Sequence, residues 1–319
     1  MKNETGIAVD VGGTKINFAI INEQMKVAKR WTCHTTQSGG DALQEQLLRN
    51  MRHATESGKV SFAGICIPGI VDRNGTITWV PNIPFARNIR LRNVIESELG
   101  IPAFVTDDRT AAVLGEHTYH RVDNLVVVLI GTGLGAGIML DGHSFAGTNG
   151  GVGAIGWNID DESMRKHTEI GLTEEVISGG GIVNLSVKMG LTTGALPGRS
   201  GAYKRGKLTT KQVFEAFDRG DDIASRVMQK VTSSLSVQIT NLVNTVNPSL
   251  VILNGTVGLE IAKRFLPSIR SFVRANALPV AAKVVKIKKS DIGDSSFIYG
   301  AALGAMNMLN ARDGYSPNM

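Results

Sequence analysis

The chain has 319 residues, of which 42% are apolar, and it carries two cysteines and a formal net charge of +6. This length and apolar content allow a substantial core and favour two domains. The longest aliphatic run, Leu125–Ile130, is far shorter than the roughly 20 apolar residues that span a bilayer. The N-terminus has no secretory-signal pattern, and Cys33 and Cys66 cannot form a disulfide framework or a Cys-rich zinc site. We expect a cytoplasmic protein with no membrane association.

The first part of the chain predicts alternating strands and helices, each bounded by turn residues. The predicted elements are strands at 6–11, 16–21 and 26–32, a helix at 41–57, a strand at 62–67, a helix at 89–99, a strand at 104–105 and a helix at 109–119. The first three strands are expected to be consecutive and antiparallel.

The second part repeats the opening layout and then changes character. Strands at 125–130 and 138–140 are joined by the glycine-rich turn GTGLGAG at 131–137. After a stretch with weak periodicity, apolar residues at every fourth position predict a long helix over 223–243, which Asn247-Pro248 ends. A buried strand at 250–253 and a last helix around 300–302 complete the pattern. We expect this last helix to pack against the first domain.

Two glycine-rich turns are candidates for binding phosphate. The first, DVGGTK, contains Asp10, Gly12, Gly13, Thr14 and Lys15. Glycines let backbone N–H groups approach an anion, while the hydroxyl and the ammonium group add donors. A plain tight hairpin is the alternative for either turn alone. Two such hairpins together favour a nucleotide site.

A pair of carboxylates precedes the predicted helix at 109–119. Asp107 and Asp108 follow a short strand, so one of them is expected to cap the helix N-terminus. The other is a candidate general base, because phosphoryl transfer to an alcohol needs a group that accepts the hydroxyl proton.

Seven segments together resemble one family. DVGGTK, GICIPGIVD, PNIP, TDDRTAAVLGE, GTGLGAG, NPSLVILNG and GDSSFIYGAALGA occur in this order over nearly the whole chain, and they resemble the ROK family of sugar kinases and related repressors. The resemblance implies an α/β, actin-like ATPase (ribonuclease H-like) fold, with nucleotide and sugar in a cleft between two lobes. We expect a small lobe of 1–120 plus 298–319 and a large lobe of 121–297. The implied reaction is ATP-dependent phosphorylation of a hexose, usually at the 6-hydroxyl, and we expect a homodimer.

The same resemblance implies roles for individual residues. Asp108 would be the catalytic base, and Asp10 would orient Mg²⁺ through water. The ATP-binding set would be Asp10, Gly12, Gly13, Thr14, Lys15, Gly131, Thr132, Gly133, Gly135, Asn254 and Gly255. The sugar-binding set would be Pro68, Gly69, Asn82, Asp107, Asp108, Trp157 and Glu174.

The chain departs from the family pattern in two places. Family members commonly carry Glu-x-Gly-His followed by three cysteines, which hold a structural zinc. Here Ala154 and Trp157 replace the Glu and His, no cysteine follows, and His167 alone cannot form a four-ligand site. We therefore expect no structural zinc and a substrate other than plain glucose, with Trp157 either stacking on the substrate or filling the place of the zinc loop. Asp107 stands where the family usually has Asn. An ionised Asp only accepts hydrogen bonds, so it would favour a sugar that offers donors, such as an amino group.

Three alternatives remain open at this stage. Polyphosphate could replace ATP as donor, and the basic residues between 199 and 211 give this slight support. A non-catalytic sugar sensor or pseudokinase is the second, although we expect no room for a DNA-binding domain before residue 10. Nucleic-acid binding is the third, and we expect no nucleic-acid partner because no stripe of alternating basic and aromatic residues accompanies the basic cluster. That cluster is Arg199, Lys204, Arg205, Lys207 and Lys211.

Overall fold

The protein is described by a computed structural model at residues 4–56, 60–159, 170–191 and 208–312. Its contacts form two compact units, Met1–Asp123 with Gly137–Val152 and Asp294–Met319, and Asn124–Ala136 with Gly153–Gly293. The lobes predicted from the sequence differ from these units mainly at 137–152, and as functional lobes they remain a prediction. Within the described residues, no helix is long and apolar enough to cross a membrane.

The first five-stranded sheet has the order β3-β2-β1-β4-β7. Strands β1, β2 and β3 are antiparallel, as predicted, and β4 runs parallel to both β1 and β7. The elements of this part of the chain are β1 (Thr5–Val11), β2 (Lys15–Asn22), β3 (Val27–His34), α1 (Gly40–Glu56), β4 (Val60–Ile67), β5 (Ile70–Val71), β6 (Ile77–Trp79), a 3₁₀ turn (Pro84–Ala86), α2 (Leu91–Leu99), β7 (Ala103–Asp107) and α3 (Asp108–His120).

The second five-stranded sheet has the order β10-β9-β8-β11-β12, in which β11 is parallel to its two neighbours. The remaining elements are β8 (Leu125–Ile130), β9 (Leu134–Leu140), β10 (His143–Ser144), a 3₁₀ turn (Ile155–Trp157), α4 (Glu174–Ile177), α5 (Gly179–Lys188), α6 (Thr210–Asp218), α7 (Asp222–Val246), β11 (Leu250–Asn254), α8 (Thr256–Asn276), α9 (Pro279–Val284), β12 (Lys286–Lys289) and α10 (Ser295–Arg312).

Strand β1, at the centre of the first sheet, is buried on both faces, and its residues alternate between them. Ile7 and Val9 of β1 belong to the large core that includes residues of α1 and α2. Ala8, between them, packs with Ile298 and Ala302 of α10 on the opposite face. Side chains of successive strand residues point to opposite faces of the sheet. A residue as small as Ala8 lets α10 pack close to the face on which it lies. The last helix therefore packs on the first unit, as the sequence predicts.

The long helix α7 confirms the prediction from its apolar spacing. Asp221 caps its N-terminus by accepting a hydrogen bond from the Ala224 N–H. The helix ends at Asn247, whose left-handed backbone and following proline prevent a further turn.

Two features of the second unit differ from the sequence expectation. The glycine-rich turn is only 131–133, because β9 already begins at Leu134. Helix α8 was not predicted: the segment NGTVG has the composition of a turn, and Pro267 lies inside the helix. Helix α8 buries one apolar face, which includes Ile261, Ile269 and Val273, so tertiary packing overrides the local turn signal.

Candidate active site

The turn between β1 and β2 is tightly closed by its own backbone. The Gly12 N–H donates to the Lys15 carbonyl at 2.9 Å, and a Cβ on Gly12 would stand 2.9 Å from the same oxygen. The Thr35 hydroxyl donates to the Gly12 carbonyl at 2.7 Å. Thr14 and Lys15 remain exposed, so their donors are available to a ligand.

Asp10 lies at the end of β1 in surroundings that disfavour its charge. Burial is the main reason that its pKa rises to about 6, and the carboxylate of Asp294 also raises it. A hydrogen bond from the Asn17 amide, 3.0 Å long, and the charge of Lys15 oppose this rise. A cation beside Asp10 would favour its ionised form, because an opposite charge offsets the effects of burial and of Asp294.

The N-terminus of α3 separates the roles of the two adjacent acids. Asp107, which is 4% exposed, caps the helix, and its Oδ1 accepts from the backbone N–H groups of Arg109 and Thr110, both at 3.1 Å. Its Oδ2 accepts from the Thr110 hydroxyl at 2.8 Å. The cap accounts for this carboxylate, so its predicted contact with a sugar amino group gains no support.

Asp108 is the carboxylate that stays available. It is half-buried, and its Oδ1 accepts only from the Arg109 N–H among the described residues, at 3.0 Å. Burial raises its pKa to about 7, with a further rise from Asp107 and opposition from Arg109. A carboxylate with a pKa near the working pH suits a general base.

Helix α3 is fixed by unusually close backbone approaches. A Cβ on Gly115 would stand 2.0 Å from the Ser296 carbonyl, and a Cβ on Gly300 would stand 1.7 Å from that of Ala111. A Cβ on Gly137 of β9 would stand 2.1 Å from the Arg109 carbonyl. These glycines allow α10 and β9 to contact α3, and so they hold the Asp107-Asp108 end in position.

Two of the predicted sugar-site positions lie near groups already described. Asn82 contacts the first turn, since a Cβ on Gly13 would stand 3.4 Å from the Asn82 carbonyl. Gly69, directly after Pro68, has a φ of 145°, and its carbonyl accepts from an Arg109 Nη2–H at 3.3 Å. Both segments thus belong to the first unit together with Asp10 and Asp108.

In the second unit, the short turn after β8 is closed in the same way as the first. The Gly131 N–H donates to the Gly133 carbonyl at 3.0 Å, and the Gly179 N–H donates to the Gly131 carbonyl at 2.9 Å. Thr132 is exposed at its tip. Gly135, however, is a buried residue of β9, so its predicted place in the turn is wrong: the strand begins before it.

Asn254 and Gly255 form the entry to α8. The Asn254 Oδ1 accepts from the Gly255 N–H at 2.7 Å, and the side chain is fully buried. Gly255 has a φ of 80°, and a Cβ there would stand 2.4 Å from the Ile130 carbonyl. Asn254 therefore has a structural role, and any adenosine contact from this pair would come through Gly255 and the helix N-terminus.

Glu174 lies against the turn after β8. Its Oε2 accepts from the Leu134 N–H at 2.8 Å, and burial raises its pKa. A Cβ on Gly133 would stand 3.1 Å from Oε2. The structure thus brings together Glu174 and the second turn.

The segment that replaces the zinc motif is held by hydrogen bonds. The Asn158 amide donates to Oε1 of the buried Gln238 at 2.6 Å, and the Thr173 hydroxyl donates to the Asn158 carbonyl at 2.9 Å. Trp157 precedes Asn158, and its side chain is 42% exposed. This exposure disfavours the alternative that the indole fills the place of the zinc loop. His167 lies outside the described residues, as does the basic cluster except Lys211, which pairs with Glu215 at 3.8 Å.

Sequence reasoning missed three residues of the first unit. Arg109 follows the two acids and contacts four acceptors, Asn17 donates to Asp10, and Asp294 raises the Asp10 pKa. Asp294 could have been found from the sequence, because it lies in GDSSFIYGAALGA, one of the seven segments that resemble the family. Nothing in the spacing of Asn17 pointed to its role.

Comparison with known proteins places the chain among sugar kinases and repressors. The ROK family model matches residues 6–307. A glucokinase from Halalkalibacterium halodurans is 29% identical over 317 residues, covering 94% of both chains. A xylose repressor from Caldicellulosiruptor bescii is 26% identical over 263 residues, covering 77% of this chain and 63% of the repressor.

A solved structure shows the same fold. The ROK family glucokinase from Streptomyces griseus, in complex with glucose and AMPPNP, aligns with a TM-score of 0.77 at 22% identity, covering 95% of this chain and 99% of that one. The fold is therefore the α/β actin-like ATPase fold, as predicted. Because the family match extends over nearly the whole sequence, this chain belongs to the ROK family.

Proposed function

We propose that the protein is an ATP-dependent sugar kinase, which transfers the γ-phosphate to a hydroxyl, in particular the 6-hydroxyl, of a hexose or hexose-like substrate. The observation that carries this proposal is Asp108: a half-buried carboxylate at a helix N-terminus, with its pKa raised to about 7, next to an acid that is already used as the cap. A carboxylate with this pKa can accept the proton of a sugar hydroxyl as the bond to phosphorus forms.

The phosphate groups would be bound by main-chain and side-chain donors of the two closed turns. Gly12, Gly13, Thr14 and Lys15 supply the first, and Gly131, Thr132 and Gly133 supply the second. Backbone N–H groups in such turns and an exposed ammonium group stabilise the anionic oxygens of a nucleotide. Gly255, at the start of α8, would flank the adenosine.

Asp10 and Asp294 fit a magnesium ion, because the Asp294 carboxylate acts on Asp10 and raises its pKa, and both side chains offer the oxygen ligands that Mg²⁺ prefers. When bound, Mg²⁺ would neutralise charge on the transferred phosphate. Protein groups do the remaining work: Asp108 accepts the proton, and Asn82, Gly69 and Glu174 would orient the sugar.

The substrate is proposed to differ from plain glucose. Ala154 and Trp157 replace two side chains that could hydrogen-bond sugar hydroxyls, and the exposed indole of Trp157 offers an aromatic face. The segment after Trp157 contains no cysteine, and we propose that it holds no structural zinc. A homodimer in the cytoplasm completes the proposal.

The second candidate is a non-catalytic sugar sensor, which the similarity to a repressor favours. One experiment separates the two. ADP release is measured with hexoses, amino sugars, N-acetylhexosamines, disaccharides and cyclitols, with ATP and polyphosphate compared as donors, for the wild type and Asp108→Ala. A kinase gives sugar-dependent ADP release that Asp108→Ala abolishes while sugar binding persists. Sugar binding without turnover in the wild type would instead identify a sensor.

A further inference from the structure

We propose that Arg109 is a positioning residue of the kinase site. Its guanidinium group ties the turn at Gly69 and the segment 150–152 to the N-terminus of α3, the helix that begins with Asp108. This inference rests on the proposed function for its effect on catalysis, while its structural part is tested separately below.

The contacts of Arg109 leave little of its hydrogen-bonding capacity unused. Nε donates to Asp107 Oδ1 at 3.2 Å, and Nη1 donates to the Val152 carbonyl at 2.9 Å. Nη2 donates to the carbonyls of Gly150 at 2.9 Å and Gly69 at 3.3 Å. The residue is 8% exposed. A planar guanidinium group with five N–H donors can make this set of bonds, whereas a lysine ammonium group with three donors cannot.

The two segments bound by Arg109 also contact each other. A Cβ on Gly150 would stand 2.8 Å from the Val71 carbonyl, in the strand that follows Gly69. Gly69 and Gly150 both have a positive φ, of 145° and 78°, so their carbonyls point in directions that other residues rarely allow. Arg109 therefore bonds a preformed pair of backbone segments, all in the first unit.

These segments adjoin positions that the proposed function uses. Pro68 and Gly69 are proposed to line the sugar site, and Val152 lies two residues before Ala154 in sequence. A guanidinium group that holds both segments against α3 fixes their position relative to the Asp108 carboxylate. Weakening the hydrogen bonds of Arg109 should misplace the sugar hydroxyl relative to the Asp108 carboxylate and leave the first phosphate turn unaffected.

Asp107 completes the unit by pairing with Arg109. Its carboxylate is buried, and the arginine is its one cationic partner among the described residues. Removing the arginine would leave a buried carboxylate without a counter-charge, together with three carbonyls that lose a donor. An acid at position 107 is thus explained by the arginine two residues later.

The test compares Arg109→Lys with Arg264→Lys. Arg264 is a matched control, because it also pairs with two acids, Asp218 and Glu260, but lies on α8 of the second unit. With a sugar that the wild type phosphorylates, Arg109→Lys is expected to raise the sugar KM about tenfold, as loss of one or two hydrogen bonds would, and to lower kcat. The ATP KM should change less than about twofold. The control should change neither KM.

Amide hydrogen exchange tests the structural part without any activity. Arg109→Lys should exchange faster at 69–71 and 150–152 than the wild type, and Arg264→Lys should not. Unchanged exchange in either segment would overturn the proposal, whether or not the wild type is a kinase. Faster exchange with an unchanged sugar KM in an active enzyme would overturn the positioning role. A wild type without kinase activity would refute the proposed function, and the exchange result would still decide whether Arg109 holds the segments.

A second pair of variants covers poor folding. Arg109→Ala should lower the unfolding midpoint strongly, and adding Asp107→Asn should restore part of it, because the unpaired charge is gone. The double variant should still show the raised sugar KM. If Asp107→Asn restores no stability in the Arg109→Ala background, the two residues do not act as one unit.

Discussion

Replacing Asp108 by Asn should make the protein more stable while removing its activity. Asn has nearly the same shape, and its Oδ1 can still accept from the Arg109 N–H. The substitution removes the free-energy cost of an ionised carboxylate that is partly buried and lies beside Asp107. Groups at catalytic sites often destabilise the fold in this way.

The size and pH range of the effect follow from the pKa. Burial and Asp107 raise the Asp108 pKa from its ordinary value of 3.8 to about 7. Below pH 3.8 both the folded and the unfolded chain hold the proton, so the group does not affect stability. Between the two values only the folded chain keeps it, and above pH 7 the folded chain bears the full cost of the charge, of the order of 4 kcal/mol.

The assay is thermal unfolding of the ligand-free protein at pH 5 and pH 8, with a chelator to remove Mg²⁺. Because relaxation around the half-buried carboxylate lowers the cost, we expect Asp108→Asn to gain about 2 kcal/mol or more at pH 8, a Tm rise of about 3 °C or more. At pH 5 the gain should be less than half as large. Asp107→Asn is the control: it removes charge from a helix cap that is paired with Arg109, so it should lower stability at pH 8. An equal gain at both pH values, or a loss at pH 8, would refute the reasoning.

Three further predictions test the site and its support. The wild-type kcat/KM for sugar should rise with pH and level off above about pH 7, since the base must be deprotonated; a profile flat from pH 5 to 8 would exclude Asp108 as that base. Gly115→Ala should cost about 2 kcal/mol or more, because its Cβ would meet the Ser296 carbonyl, whereas Gly180→Ala on α5, with open space around it, should be nearly neutral in chemical unfolding. Trp157→Ala should raise the sugar KM and leave the ATP KM unchanged; equal KM values for wild type and variant would remove the indole from the sugar site.

Much of the architecture could be predicted from local sequence patterns. Strand β1 alternates large and small residues, Ile7, Ala8 and Val9, between its two buried faces, and α7 repeats its apolar residues with helical spacing. Both signals are periodic and local, so they can be recognised in the sequence without knowledge of the fold. The start of β9 was mispredicted for the opposite reason. Gly135 has the composition of a turn, and only pairing with neighbouring strands makes it a buried strand residue.

The two adjacent acids show where local reasoning ends. The sequence indicates that one of the two carboxylates should cap α3, and the structure assigns the cap to Asp107; the role of Asp108 as general base stays a prediction. The cap residue keeps an extended backbone, with a ψ of 165°, so its side chain folds back onto the N–H groups of the first turn. Asp108, the next residue, is already helical, and its carboxylate accepts from only one of these N–H groups, that of Arg109.

Arg109 could not be found by such reasoning, because its partners carry no side-chain signature. Three of its four acceptors are backbone carbonyls, and these lie about 40 residues away on either side: Gly69, Gly150 and Val152. A sequence records which residues have a guanidinium group but not which carbonyls will point at it. Yet the arginine has a predictable consequence. A buried carboxylate at 107 is stable only with a cation beside it. A related chain that carries this acid without an arginine two residues later should therefore need another cationic side chain at this site.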